Sequence, residues 1–110
     1  MTPDPPGFVA LQELHEACRL LREGGNAVVL LPGFTFQAAG AEQHMDLLLH
    51  PSAHSGYATR LFFERATTGR GSNWTQHRVV DRSWWAPSWK DVPATMPWLN
   101  MLSAHLRAVQ

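Results

Sequence analysis

Apolar positions recur at a helical interval in the first quarter of the chain. Within residues 8–23, Leu11, Leu14, Cys18 and Leu21 fall on one helical face, and Glu13, Glu16, Arg19 and Glu23 fall on the other. This pattern predicts an amphipathic helix over 8–23. Gly24-Gly25-Asn26 follows, the kind of sequence in which a helix ends, because glycine takes a positive φ without a Cβ penalty. Residues 1–7 hold three prolines and a glycine, which predict an extended lead-in.

Beyond Asn26 the pattern shortens. Ala27 to Leu31 is a brief apolar run, Pro32-Gly33 turns or bulges it, and Phe34-Thr35-Phe36 alternates as a strand does. Residues 38–43 predict a loop. Met45 to Leu49 predicts a second strand stopped by Pro51, and 51–56 another loop. Tyr57 to Glu64 predicts a third strand centred on Leu61-Phe62-Phe63. The small polar stretch 66–73 predicts a turn, and Trp74 to Val80 a fourth strand. Asp81 to Pro93 mixes prolines with Trp84, Trp85 and Trp89, so it predicts an irregular, packed segment. Residues 94–109 predict a closing helix with Met96, Leu99, Leu102 and Leu106 as its apolar stripe and Trp98 beside it. The order gives an α+β, two-layer domain over 8–110, with three or four antiparallel strands in a meander and a helix at each end covering one sheet face. Trp85 and Trp98 are expected to be buried between sheet and closing helix.

Composition narrows the function classes. The chain has 110 residues, 45% apolar and 16% charged, which suits one domain with a core. Lys+Arg and Asp+Glu are both 9, and a module that neutralises phosphate is normally basic, so nucleic acid is an unfavoured partner. A single cysteine excludes an internal disulfide framework. No apolar run approaches the roughly 20 residues needed to span a bilayer, and MTPDPPG lacks the features of a secretory signal. A cytoplasmic protein without cofactor or membrane attachment is expected.

Several residues invite chemistry. His50 and His54 stand four apart with His44 and Asp46 nearby, but Pro51 and Gly56 oppose a helix there, and surface loop histidines are the stronger account than a metal site. Cys18 falls on the apolar stripe, which fits a buried structural thiol better than a nucleophile. Arg60, Arg65, Arg70, Arg78 and Arg82 gather near Trp74, Trp84 and Trp85, as in a single-stranded nucleic-acid grip or an edge that meets an acidic protein. Gly69-Arg70-Gly71-Ser72 lacks the lysine and spacing of a phosphate cradle and reads as a turn.

The order of elements carries a resemblance. An early helix, a strand meander through His50-Pro51 and Phe62-Phe63, then Trp74-Thr75-Gln76-His77-Arg78, Trp85-Ala86-Pro87 and the helix Pro97 to Leu106 together resemble the ubiquitin-conjugating (UBC) enzymes. The chain is similar to compact bacterial members associated with activating enzymes and ubiquitin-like proteins. Those enzymes carry a catalytic cysteine shortly before a W-x-P element, where this chain has His77 and no cysteine. The His-Pro-Asn signature is absent too. The resemblance implies either another nucleophile or a non-catalytic partner that positions a ubiquitin-like C-terminus. A serine would form an oxyester with an imidazole as base. The candidate site is therefore His77 and Arg78 with Ser72, Ser83 or Ser88, and the implied partners are an activating enzyme and a ubiquitin-like protein. The alternative is a non-enzymatic module binding a protein or single-stranded nucleic acid.

Overall fold

A computed structural model describes residues 5–38, 40–54, 56–67, 74–87, 92–107 and 109. It is α+β, with helix α1 (Pro6–Leu14), strands β1 (Arg19–Glu23), β2 (Asn26–Ala38), β3 (Ala41–His50), β4 (Arg60–Phe63), β5 (Trp74–Val79) and β6 (Arg82–Pro87), and helix α2 (Trp98–Arg107). All six strands form one antiparallel sheet in the order β1-β2-β3-β4-β6-β5. The expected three or four strands become six, and β6 lies against β4, leaving β5 at the edge.

The predicted helix over 8–23 is the largest correction. The helix begins at Pro6, within the expected lead-in, where a proline without N–H is tolerated. It stops at Leu14, and His15 is extended with φ −144°. The His15 ring reaches back to the Pro32 carbonyl, fixing the break. Leu14 is 56% exposed, so it does not belong to a buried stripe. Gly24 and Gly25 have φ of 55° and 84° and turn β1 into β2. A two-residue hairpin needs the same positive φ as a helix C-terminus, so the glycines fit either reading.

Pro32-Gly33 is a bulge inside one long strand. The register shifts between Leu31 and Phe34, and the Gly33 N–H donates to Asp46 Oδ1 at 2.8 Å. Within the expected loop at 38–43, Ala38 pairs with Ala41, and Glu42 and Gln43 already belong to the β2–β3 ladder. The segment expected to be irregular contains β6. Its hairpin with β5 turns through Val80 and Asp81, both at positive φ, 46° and 59°.

The sheet has two unlike faces. On one, Phe8 and Leu11 of α1 and Met101 and Leu102 of α2 pack with Val29, Leu31, Met45, Leu47, Leu49, Leu61 and Phe63. The fully buried residues of α2 are Met101, Leu102 and His105; of the predicted stripe Leu102 is buried, Met96 and Leu106 pack at the margin of this core, and Leu99 is 39% exposed. On the other face Val28, Leu48, Phe62, Val79, Trp84 and Ala86 form a second cluster to which neither helix contributes. These residues are nonetheless buried because the sheet curls. Glu23, at the end of the first strand in the sheet, accepts a hydrogen bond from the Val80 N–H in the turn beside the last. That contact closes the concave face upon itself. Trp84 is fully buried there, its indole N–H donating to Val79 O at 3.0 Å, whereas Trp85 and Trp98 are only half-buried.

Candidate functional site around His77

Polar side chains of β3, β4 and β5 collect on the concave face, with β6 lying between β4 and β5. Strand alternation sets Arg60 beside Phe62, His50 beside Leu48 and Thr75 beside His77 on one side of the sheet. Register adds the rest: His50 pairs with Arg60, and His77 with Trp84. Phe62 forms the floor. The rings of His50, His54 and His77 stand nearly edge-on around it, with centroids 6.2, 5.2 and 5.6 Å away.

Arg60 is the unusual member. It is 3% exposed, its guanidinium lies over the Tyr57 ring at 4.2 Å, and Nη2 donates to Pro87 O at 3.2 Å. Both ion pairs found among the described residues belong to Arg82, so Arg60 has no carboxylate there. A buried charge of this kind imposes a positive field on its neighbours.

His77 feels that field. Arg60 Nη1 approaches His77 Nε2 at 3.4 Å, and the Thr75 hydroxyl lies 2.8 Å from the same nitrogen. A guanidinium only donates, so Nε2 is the nitrogen with the free lone pair, and the Thr75 hydroxyl donates to it. Burial first, and the Arg60 charge second, hold the His77 imidazole below its ordinary pKa. His54 is lowered too, by burial and then by His50, His77 and Arg60, with Glu23 opposing. The His54 and His77 imidazoles are therefore neutral near pH 7.

The other sequence candidates separate from His77. Arg78 follows it in β5 and so projects from the opposite face, where it is exposed and donates to Asp81 O at 3.3 Å. Ser83 pairs with Arg78 and shares that outer face. Ser72 and Ser88 lie outside the described residues, as do Arg70 and Trp89. The hydroxyl that does meet His77 belongs to Thr75, two residues earlier. A threonine in a strand reads as a β-former, and only the i, i+2 spacing to a histidine signals the contact.

The remaining candidates resolve into structural roles. His50 is buried at the end of β3 rather than on a surface loop, its Nδ1 donating to Ser52 O at 2.8 Å, and His54 is half-buried. Among the described residues no group of three or more His, Cys, Asp and Glu is arranged to hold a metal ion. The arginine patch disperses. Arg82 binds Asp46 at 2.9 Å and lies over Trp84, and Arg65 donates to His44 O. Burial works to raise the Asp46 carboxyl, but the Gly33 N–H and Arg82 outweigh it and hold the group below its usual value. Cys18 is buried in the segment between α1 and β1, its thiol directed at Leu11 O, and burial pushes its pKa up to about 11. Among the described residues no helix is long and apolar enough to cross a membrane.

Compared with protein-family models, curated proteins and solved structures, the chain matches none.

Proposed function

We propose that the chain is a UBC-like protein of a bacterial, cytoplasmic ubiquitin-like modification pathway, receiving or positioning a ubiquitin-like C-terminus at His77. One observation carries the reading. A neutral imidazole, fixed by a buried guanidinium, meets a hydroxyl on an edge strand, in the stretch where the resemblance sets the active site. Acyl-group chemistry needs such a base near pH 7. The helix–strands–helix order, with both helices on one sheet face, supports a UBC-like domain. The β5–β6 hairpin makes this sheet larger than a four-stranded meander and brings Trp85-Ala86-Pro87 into a strand.

The test is an NMR titration of the labelled chain with a ubiquitin-like protein, intact and with its last glycine removed. The intact protein is expected to shift amides in 50–60 and 74–79, and the shortened one to shift them less. Absence of shifts in both segments would refute the reading.

A further inference from the structure

Resting on that reading for the nature of its donor, we propose that Thr75 is an acyl acceptor. Its hydroxyl takes the C-terminal acyl group of a glycine-ending protein from a thioester, with His77 as general base. Three observations converge. Thr75 is exposed, and it sits on β5, which among the described residues has a strand partner on one side only. Its hydroxyl is 2.8 Å from His77 Nε2, closer than its other acceptor, Ala86 O, at 3.4 Å. Arg60 Nη1 lies 3.4 Å from the same nitrogen and can only donate, which favours the tautomer with its lone pair on Nε2. A hydroxyl is a weak nucleophile unless a base takes its proton, and here the base is in place.

The step balances without a redox partner. Thr75 Oγ1 attacks the thioester carbonyl carbon while its proton passes to His77 Nε2. The carbon–sulfur bond then breaks, its electron pair leaves with sulfur, and the proton on Nε2 moves to the thiolate. One ester bond forms as one thioester bond breaks. An oxyester is the more stable of the two, so transfer runs toward Thr75. Arg60 touches neither donor nor leaving group. It is a positioning residue, holding the imidazole neutral and turned toward the hydroxyl.

The probe is a synthetic peptide ending in a Gly-Gly thioester, with the same peptide as free acid for comparison. The folded chain is incubated with the thioester near neutral pH and read by intact mass and fragment mapping. A hydroxylamine-labile adduct is expected on Thr75. Thr75→Ser should keep it and Thr75→Val should lose it, both with unchanged circular dichroism. His77→Gln should slow its formation about 100-fold or more. The wild-type rate should rise as His77 deprotonates, with its midpoint below that of an ordinary imidazole, because burial and Arg60 lower the group. An adduct on any other residue, an adduct that persists in Thr75→Val, or none at all overturns the assignment. If the free acid still shifts β5 amides while no adduct forms, the acceptor role alone fails. If neither peptide acts on the chain, the positioning role fails with it.

Discussion

A buried thiol and a half-buried imidazole show how single side chains here are set by what surrounds them. Cys18 is 4% exposed and, with its pKa near 11, is a thiol throughout the physiological range. Native protein should therefore resist alkylation by iodoacetamide at about pH 7.5 and react fully once unfolded. Cys18→Ala should cost about 1 kcal/mol in a denaturant melt, as expected for a small deletion in a core, and leave binding unchanged. Fast native labelling would contradict this account of Cys18. The burial of Cys18 was legible from its apolar neighbours, although its helix was not. His77 was legible from its position before Trp85-Ala86-Pro87. Thr75 and Arg60 were not, for a physical reason. A hydroxyl becomes chemically distinct only when its neighbour across the pleat is known, and an arginine in a run of arginines looks solvated until strand pairing buries it.

Element boundaries follow from close approaches that no periodicity encodes. The Gly7 backbone in α1 lies so near α2 that a Cβ there would stand 2.5 Å from Trp98 Cγ and Cδ2. The lack of a side chain at this position lets the two helices meet over the sheet. Gly7→Ala should force the Trp98 ring aside and cost about 1–3 kcal/mol, read as a lowered melting temperature. A melt indistinguishable from wild type would show that the helices separate freely. The β5–β6 turn stores strain of another kind. Val80 has φ 46°, a conformation costing a non-glycine residue roughly 1–2 kcal/mol and awkward for a β-branched one. Its N–H bond to Glu23 compensates, and a replacement would retain it. The Val80→Asn, Asp81→Gly double variant should therefore raise stability by about 1 kcal/mol, because Asn-Gly suits a turn with positive φ at both central residues. Lower stability would mean that the side-chain packing of Val80 outweighs the strain. The strands themselves were mostly visible in the apolar runs. The hairpin role of Gly24-Gly25 and the strand character of Arg82–Pro87 were not, since a glycine pair serves two kinds of turn and a proline at the end of a strand reads as a breaker.

At the scale of the molecule, one sheet separates two cores that answer differently to acid. The helix-covered face encloses His105, 3% exposed. Its neighbour Thr59 donates to Val92 O at 2.8 Å, so at 2.9 Å from His105 Nε2 the Thr59 oxygen accepts, and the imidazole is neutral with its proton on Nε2. Burial, then the charge of Arg60, lower its pKa to about 4. The concave face holds His54 and His77, shifted in the same direction. All three bind protons more readily unfolded than folded, so the stability they confer is complete above the unfolded value of 6.5 and is lost as pH falls. For His105 the window runs from about 6.5 down to about 4, and Asp46, shifted below 3.8, adds its own loss only under that range. Unfolding free energy from urea titrations should drop by about 2–3 kcal/mol between pH 7 and pH 4.5 on account of His105 alone, to the order of magnitude that linkage allows. His105→Gln keeps an N–H for Thr59 but cannot titrate. It should be less stable than wild type at pH 7 and show a shallower slope, retaining the smaller part that belongs to His54 and His77. If wild type and His105→Gln lose stability in parallel, the acid sensitivity lies on the concave face. His54→Gln and His77→Gln then become the variants that flatten the curve.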